Sequence, residues 1–379
     1  MNRLPYGHQW IDEADVRAVV SALKSDWLTQ GPRVEEFEKA VAAYCRAKYA
    51  VAVSSGTAAL HGAYAVAGIG PGDEVITSPL TFVATANGVV YCQGRPVFAD
   101  IREDTLDIDP REIEKKITKR TKAIASVDFA GHPCEQDEIL RIARKHHLLT
   151  IEDAAHALGS EYKGRKVGSL ADMTILSFHP VKAITAGEGG MILTNSKTFY
   201  EKLKVFRNHG IVKKPEKGGW YYEIESPGYN YRLTDLQCAL GISQMKKLDR
   251  FIQRRRAIVE KYNRAFQKFE EVITPVELPY AKSAYHIYVL QFRLELLTSD
   301  RRQLFDAFGK EGIGVQIHYV PVHLQPFYRK KFGYRKGDFP KAERYYERAM
   351  SLPLFPKMTD REVAHVIDTA GKIVARYRV

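Results

Sequence analysis

The chain has 379 residues, 45% of them hydrophobic, and a formal net charge of +12. Its length exceeds what one domain usually holds, and no apolar run is long enough to span a membrane. Residues 1–12 lack a stretch of signal-peptide type and the four cysteines show no metal-ligand spacing, so we expect a soluble, cytoplasmic protein without disulfides, metal or a membrane partner. The charge is spread along the chain, which fits either a solvated basic surface or a polyanionic ligand.

The first two-thirds of the chain alternate amphipathic stretches with short apolar runs. Asp12 is placed to cap a first helix, and a second amphipathic helix follows over 34–45. The apolar face of the first helix comprises Val16, Val19, Val20 and Leu23. The predicted strands are 49–53, 74–77, 96–99, 123–127, 148–152, 173–177 and 191–194. The remaining predicted helices of this part are 58–67, 110–117, 135–145 and 197–208.

This alternation predicts an α/β fold with a mostly parallel central sheet flanked by helices. In such sheets ligands bind beyond the carboxyl ends of the strands, so functional side chains are expected just after the apolar runs. A long helix around 234–266 is predicted to connect a large domain, 1–240, to a smaller α+β domain, 241–379. The predicted elements of the smaller domain are strands at 285–294 and 315–319, a helix at 300–310 and a last helix that opens with a capping box at 359–362.

The first predicted strand runs into a turn of small residues and then into a helix. This turn, 54–58, contains Gly56 and Thr57. The exposed amides of a helix N-terminus bind phosphate, and small side chains let the phosphate approach. Alone this is a weak signal, because many strand–helix turns look similar. The glycines of 68–73 indicate only a turn, because they precede a strand and Pro71 interrupts them.

Two further strand ends carry polar side chains. Asp153 either pairs with a protonated pyridine nitrogen or caps the segment that follows. Ser177 can donate to a phosphate, and Lys182 is either an amine held near an aldehyde or a solvated lysine. The glycines of 187–190 indicate close backbone packing without identifying a ligand.

Taken in chain order, these segments resemble the fold-type I pyridoxal-phosphate enzymes, specifically the DegT/StrS-type nucleotide-sugar aminotransferases. Each motif is only moderately specific, whereas all of them in one order are highly specific. The resemblance covers nearly the whole chain and rests on residues 28–32, 55–60, 152–159, 177–178 with 182, 187–190, 207–210 and 230–233.

The resemblance implies a pyridoxal 5'-phosphate cofactor that Lys182 holds as a Schiff base. It assigns Asp153 to the pyridinium nitrogen and Phe82 to stacking on the ring. His156, where many relatives carry Gln, would either bond the ring oxygen or only pack beside it. Asn230 would reach the phosphate of the neighbouring subunit's cofactor, which implies an obligate homodimer with shared active sites. The implied phosphate cradle is Gly56, Thr57, Ala58 and Ser177.

Within the family, the chain is most similar to the UDP-4-amino-4,6-dideoxy-N-acetyl-β-L-altrosamine transaminases of pseudaminic acid synthesis, through residues 126–131, 156–162 and 315–319 with Pro321. This similarity implies transfer of an amino group from L-glutamate to the 4-keto carbon of a UDP-linked 4-keto-6-deoxy-N-acetylhexosamine. Arg232 is the preferred anion binder, because a guanidinium fork matches carboxylate and phosphate. The candidate substrate contacts, each of which can equally be structural, are Tyr6, Arg207, His209, Arg232, His286, His318 and Tyr319.

Three other functions are alternatives to that of a sugar aminotransferase. Some relatives are dehydratases in which His replaces the Schiff-base lysine, and the presence of Lys182 argues against that branch. Another pyridoxal-phosphate reaction, such as racemisation, would be distinguished by its product. A regulator or nucleic-acid binder is disfavoured, because the sequence has no recognised DNA-binding module and no dense basic stripe, so we expect no nucleic-acid partner.

Overall fold

The computed structural model describes residues 4–379. Along this part of the chain the helices are α1 (Glu13–Leu23), α2 (Pro32–Cys45), α3 (Gly56–Val66), α4 (Ala84–Tyr91), α5 (Pro110–Glu114), α6 (Gln136–His146), α7 (Lys197–Phe206), α8 (Asp235–Met245), α9 (Leu248–Phe266), α10 (Arg301–Lys310), α11 (Pro326–Phe332), α12 (Pro340–Arg348) and α13 (Asp360–Tyr377). None of these described helices is both long and apolar enough to cross a membrane. The strands are β1 (Tyr49–Val53), β2 (Glu74–Thr77), β3 (Arg95–Phe98), β4 (Thr121–Val127), β5 (Leu149–Asp153), β6 (Glu161–Tyr162), β7 (Arg165–Lys166), β8 (Met173–Ser177), β9 (Gly190–Thr194), β10 (Ile211–Lys213), β11 (Tyr222–Ile224), β12 (Val272–Ile273), β13 (Ala281–Lys282), β14 (Tyr288–Phe292) and β15 (Ala349–Leu352).

The largest sheet has seven strands in the order β1–β9–β8–β5–β4–β2–β3. Strand β9 pairs antiparallel with both neighbours, and the other pairings are parallel. This confirms the predicted α/β fold with a mostly parallel central sheet. Gly190, the first residue of β9, pairs with both Val53 and Ser177. The carboxyl ends of β1, β8 and β5 therefore lie close together at one edge of the sheet.

Helices cover both faces of this sheet. Ala50 and Ala52 of β1 belong to the apolar core that contains Phe37 of α2. Val51 and Val53 of the same strand belong to a different core, formed with α3. Because successive side chains of a strand point to opposite faces, both faces are buried, and this explains why the strands read as continuous apolar runs.

A third core surrounds the antiparallel sheet β12–β14–β15. It contains Tyr262 of α9, Phe308 of α10 and Val366 of α13. Leu4 also packs in this core, and its backbone N–H donates to the Gly312 carbonyl at 2.9 Å. The N-terminal segment therefore packs with the C-terminal part of the chain. The predicted division into domains 1–240 and 241–379 stays a prediction.

The predicted single helix over 234–266 is wrong, because α8 ends at Met245 and α9 begins at Leu248. The Lys247 N–H donates to the Gln244 carbonyl at 2.9 Å, a bond that tightens the last turn of α8. The Lys247 ammonium lies 2.6 Å from carboxylate oxygens of both Asp12 and Asp15. These ion pairs tie the break to the start of α1.

The predicted strand at 315–319 is also wrong. Gln316 makes one isolated bridge with Ser351 of β15, and no ladder extends from it along the described chain. Residues 316–319 instead line a cavity.

Candidate active site

A cavity of about 670 Å³ opens at the edge of the large sheet where β1, β5 and β8 end. Tyr6 from the N-terminal segment and residues 316–319 complete its wall. The structure thus brings together side chains that are far apart in sequence. The predicted site residues that line the cavity are Tyr6, Gly56, Thr57, Phe82, Asp153, His156, Ser177, Lys182, His286, His318 and Tyr319.

The N-terminus of α3 contributes backbone donors to this cavity. Ser55 caps the helix, and its Oγ accepts a hydrogen bond from the Ala58 N–H at 3.1 Å. The amides of Gly56 and Thr57 have no acceptor among residues 4–379. A Cβ on Gly56 would lie 3.1 Å from the Ser177 Cβ, so glycine keeps the space beside this hydroxyl free. Two amides and the Ser177 hydroxyl are therefore available to a phosphate, whereas the Ala58 amide is already paired.

Asp153 is the last residue of β5 and is buried. Its Oδ2 accepts a hydrogen bond from the Thr85 hydroxyl at 2.6 Å, and its Oδ1 accepts one from the Ala155 N–H at 3.2 Å. Burial raises the pKa of Asp153, and the two hydrogen bonds and the charge of Lys182 oppose the rise. Within the described chain no cation forms an ion pair with this carboxylate. A protonated pyridine nitrogen in the cavity would supply the missing charge, so the carboxylate fits pyridoxal phosphate.

Lys182 lies in the loop after β8 and lines the same cavity. Its backbone N–H donates to the His179 carbonyl at 2.9 Å. Burial lowers the pKa of the Lys182 amine to about 8, and the Asp153 carboxylate opposes part of this shift. A sizeable fraction of the amine is therefore neutral near physiological pH. In that form the amine can attack a carbonyl or accept a proton.

An aromatic side chain forms another part of the wall. Phe82 is 56% exposed despite its size and apolar character. Its ring centroid lies 5.8 Å from that of Tyr319, at a tilted angle. The exposed face is available to a flat aromatic ligand, which fits the predicted stacking role.

Three buried histidines also line the cavity. The rings of His156 and His286 are 4.3 Å apart, and His156 Nε2 is 3.3 Å from the Tyr319 hydroxyl. Burial and nearby positive charge lower the pKa of all three, that of His318 to about 4. All three rings are therefore neutral at physiological pH. Each can act as a hydrogen-bond donor at one nitrogen and as an acceptor at the other.

Behind these histidines lies a buried cation that the sequence pattern did not reveal. Arg255 of α9 is 2% exposed and forms no ion pair within residues 4–379. Its Nη1 donates to the carbonyl oxygens of His286 at 2.9 Å and of Leu354 at 2.8 Å. The guanidinium therefore ties the segment that carries His286 to the C-terminal core. Sequence alone gave no signal, because an arginine on an amphipathic helix is usually solvated.

Arg207 does not reach the cavity. Its Nη1 donates to a Glu38 carboxylate oxygen and, at 2.8 Å, to the Ala52 carbonyl. This guanidinium is therefore engaged in joining α2, β1 and the end of α7. The structure does not support the predicted substrate contact at this position.

His209, Asn230 and Arg232 also lie outside the 670 Å³ cavity. The side chain of Arg232 donates to the Asn208 amide oxygen at 2.7 Å, and both residues line a separate cavity of about 440 Å³. His209 and Asn230 are exposed. None of the three side chains forms part of the wall of the 670 Å³ cavity of its own chain.

Thr85 is a site residue that the sequence reasoning missed. It lies in the first turn of α4, and its N–H donates to the Phe82 carbonyl at 3.2 Å. Phe82 precedes the helix, and no pattern in the sequence indicated that the Thr85 hydroxyl reaches Asp153.

A buried carboxylate, a lysine of lowered pKa and an anion-binding helix N-terminus at one sheet edge define a pyridoxal-phosphate enzyme of the aminotransferase fold. A family model described as the DegT/DnrJ/EryC1/StrS aminotransferase family matches residues 9–370. The chain belongs to this family, is an aminotransferase, and uses pyridoxal 5'-phosphate.

Individual relatives match over nearly their full lengths. The spore coat polysaccharide biosynthesis protein SpsC of Bacillus subtilis is 46% identical, over 98% of this chain and 97% of the relative. The UDP-4-amino-4,6-dideoxy-N-acetyl-beta-L-altrosamine transaminase of Campylobacter jejuni serotype O:23/36 is 41% identical, over 99% of this chain and 98% of the relative. The structure of Helicobacter pylori PseC, an aminotransferase involved in the biosynthesis of pseudoaminic acid, is similar with a TM-score of 0.94 and 34% identity, covering 99% and 100% of the two chains.

Proposed function

We propose that this enzyme transfers an amino group from L-glutamate to the 4-keto carbon of a UDP-linked 4-keto-6-deoxy-N-acetylhexosamine. The product would be UDP-4-amino-4,6-dideoxy-N-acetyl-β-L-altrosamine, formed in the cytoplasm. The 41% identity to a transaminase named for this product supports the substrate, and the similarity to PseC agrees with it. The net charge of +12 suits a substrate that carries a diphosphate.

The observation that carries the proposed chemistry is the shared position of Lys182 and Asp153 in one cavity. Bound pyridoxal phosphate supplies an aldehyde for amino groups and a ring that takes up electron density. Asp153 is proposed to hold the ring nitrogen protonated, and Thr85 to orient the carboxylate through its 2.6 Å hydrogen bond. Phe82 is proposed to cover one ring face.

The phosphate is proposed to lie at the N-terminus of α3. The free amides of Gly56 and Thr57 and the hydroxyl of Ser177 would donate to its oxygens. His156 is proposed to bond the ring oxygen of the cofactor, because its Nδ1 is buried and has no partner within residues 4–379. Ala58 is omitted from the proposed cradle, because Ser55 engages its amide and its side chain is buried in the core outside the cavity.

Lys182 is proposed to move the protons of both half-reactions. In its neutral form, Nζ accepts the proton from the α-carbon of the amino donor. In the second half, the same atom delivers a proton to the sugar carbon that receives the amino group. A pKa near 8 suits both directions, because the amine is then neither fully protonated nor fully neutral at physiological pH.

The substrate is proposed to enter between Tyr6, His286, His318 and Tyr319, which line the cavity. Asn230 and Arg232, which do not line that cavity, are proposed to serve the cavity of a second copy in a homodimer. Their position at the surface supports this assignment. Arg207 is omitted from the proposed ligand contacts because Glu38 engages it, and His209 is retained only as a surface residue near Asn230.

The decisive experiment compares the wild type with Lys182→Ala by absorption spectroscopy and product analysis. We expect a visible cofactor band that L-glutamate bleaches in the wild type but not in the variant. Subsequent addition of the UDP-linked 4-keto sugar should restore the band and yield an amino sugar, whose configuration NMR identifies. A wild type that is not bleached by L-glutamate would contradict the proposed donor.

A second candidate substrate is another nucleotide-linked keto-sugar. The 46% identity to a spore coat polysaccharide biosynthesis protein favours it, because the name of that relative refers to a polysaccharide and not to the altrosamine product. Restoration of the band by a keto-sugar of another configuration, and not by the proposed one, would select this candidate. A protein that binds cofactor but turns over no keto-sugar would instead fit a regulator.

A further inference from the structure

A buried serine forms a hydrogen bond with the ring of a histidine that lines the cavity. His318 Nδ1 lies 2.7 Å from the hydroxyl oxygen of Ser351, which is fully buried in β15. The Ser351 backbone is fixed in turn, because its N–H donates to the Gln316 carbonyl at 2.7 Å. The Tyr345 hydroxyl donates to the His318 carbonyl at 2.7 Å. Both the ring and the backbone of His318 are therefore held in place from outside the cavity.

The contact with Ser351 determines which ring nitrogen carries the proton. Burial and the charge of Lys182 lower the pKa of His318 to about 4, so the neutral ring has one N–H. Across residues 4–379, the Ser351 hydroxyl has no hydrogen-bond partner other than this ring. If Nδ1 carried the proton, the hydroxyl proton of Ser351 would be buried without an acceptor, which costs free energy. If Ser351 donates to Nδ1, its buried hydroxyl proton is satisfied, and the ring proton is on Nε2, the nitrogen that is free to bind a ligand.

We propose that Ser351 is a positioning residue, which holds His318 as the Nε2–H tautomer so that His318 donates a hydrogen bond to an oxygen atom of the substrate. This inference rests on the proposed function, in which His318 contacts substrate. His318 Nε2 has no partner in the described part of the chain and belongs to a residue of the cavity wall. The acceptor is a carboxylate oxygen of the amino donor or an oxygen of the keto-sugar.

The neighbouring His286 lacks such an anchor. Its ring makes no hydrogen bond among the described residues, and its Nδ1 is buried. Its tautomer can adapt to the ligand, whereas that of His318 is set before the ligand binds. A preset donor lowers the reorganisation needed on binding, which is how a positioning residue contributes to affinity.

The test uses Ser351→Ala, with Ser299→Ala as the matched control. Ser299 is also buried, and its hydroxyl has no partner within residues 4–379, so its removal changes volume without removing a hydrogen bond. The nitrogen NMR signals of histidine-labelled holoenzyme report the tautomer directly, and the signals lost in His318→Gln assign this ring. We expect a protonated Nε2 and an unprotonated Nδ1 in the wild type and in the control. In Ser351→Ala the two signals should shift toward a mixture of tautomers.

Affinities are then measured separately in the two half-reactions, with L-glutamate and with the UDP-linked 4-keto sugar. Loss of one preset hydrogen bond should weaken one of the two apparent dissociation constants by roughly 3- to 10-fold. The weakened substrate identifies the acceptor oxygen, and Ser299→Ala should weaken neither.

A wild-type ring protonated at Nδ1 would overturn the proposal, and so would a Ser351→Ala variant whose signals or two affinities equal those of the control. Failure of the wild type to aminate this keto-sugar would contradict the proposed substrate alone. The NMR measurement and the glutamate half-reaction do not depend on the sugar, and they still decide the role of Ser351.

Discussion

Among single residues, Asp153 and Lys182 show how the cavity sets ionisation. Burial acts on both groups against their charged forms, raising the pKa of Asp153 and lowering that of Lys182 to about 8. The opposite charge of the partner moderates each shift. For Asp153, a hydroxyl hydrogen bond from Thr85 adds to this moderation. The carboxylate thus remains an acceptor, while the amine becomes reactive.

Thr85→Val should weaken cofactor binding. The change removes the 2.6 Å hydrogen bond to Asp153 Oδ2 and leaves a buried carboxylate oxygen unpaired. Hydrogen bonds to charged groups contribute about 1.5–3 kcal/mol, so the dissociation constant of pyridoxal phosphate should rise by roughly 10- to 100-fold. Titration of cofactor-free protein, followed by absorbance, measures it.

Thr77→Val is the matched control for this prediction. Thr77 is fully buried, and its hydroxyl has no hydrogen-bond partner in the described part of the chain. The same isosteric change there should leave cofactor affinity near that of the wild type. Equal affinities for the two variants would mean that the Thr85 hydroxyl does not support Asp153.

The lowered pKa of Lys182 predicts how cofactor loading depends on pH. Only the neutral amine attacks the aldehyde of pyridoxal phosphate. Its protonated form dominates below pH 8, so the loading rate of cofactor-free enzyme should rise with pH and level off above a midpoint of about 8. Stopped-flow absorbance between pH 6 and 10, the range that brackets this value, gives the profile. A midpoint near the usual lysine value would show that burial does not tune this amine.

At the level of elements, the turn between β1 and α3 depends on its close approach to β9. A Cβ added at Gly190 would lie 2.3 Å from the Ser55 carbonyl oxygen and 2.7 Å from the Gly56 nitrogen. Both distances are shorter than side-chain carbons tolerate. A larger residue at the start of β9 must therefore displace the cap of α3.

Gly190→Ala should accordingly impair cofactor binding through the phosphate cradle. We expect a loss of affinity for pyridoxal phosphate of about tenfold or more and a decrease in stability of ~1–3 kcal/mol from overpacking. Gly189→Ala is the control, because a Cβ there meets its nearest atoms at 3.4 Å, an ordinary contact. Equilibrium titration and denaturant unfolding measure the two effects. A Gly190→Ala variant that binds cofactor as Gly189→Ala does would contradict the cradle.

The sequence predicted elements well where one physical signal dominates. Buried strands such as β5 and β8 read as short apolar runs, and polar residues at their carboxyl ends marked Asp153 and Ser177. Elements whose form depends on distant contacts were not predictable. At the break between α8 and α9, Lys247 pairs with Asp12 and Asp15, which are far away in sequence.

The residues of the candidate site likewise divide into those that the sequence predicted and those that depend on distant contacts. Motif order placed Lys182, Asp153 and Phe82 in the cavity, as the structure has them. It left open whether Arg207 contacts substrate or is structural, and in the structure Glu38 engages that guanidinium. Residue type indicates that a side chain can bind an anion. Only the fold determines whether a carboxylate of the same chain already pairs with that side chain.

For the whole molecule, the described chain leaves an apolar surface without a partner. Val16 and Leu23, predicted as part of one helix face, are 46% and 58% exposed, and Trp27 is 55% exposed. Burying apolar area of this kind is a main driving force for association. We propose that a second copy covers this stripe in the homodimer.

Shared active sites predict complementation between two inactive variants. In a homodimer that uses Lys182 from one copy and Asn230 from the other, a heterodimer of Lys182→Ala with Asn230→Ala holds one doubly defective site and one intact site. Random assortment makes about half of the dimers mixed, so the mixture should recover about a quarter of wild-type activity when cofactor is limiting.

Co-expression of the two variants with different tags, followed by tandem purification, isolates the mixed dimer for this measurement. The purified heterodimer should show about half of the wild-type activity per dimer, since one of its two sites is intact. Each variant purified through two tags in the same way provides the baseline. Activity of the heterodimer no higher than the mean of these baselines would show that Asn230 acts within its own chain or not at all. Activity well above that mean is obtained only if each copy completes the site of the other.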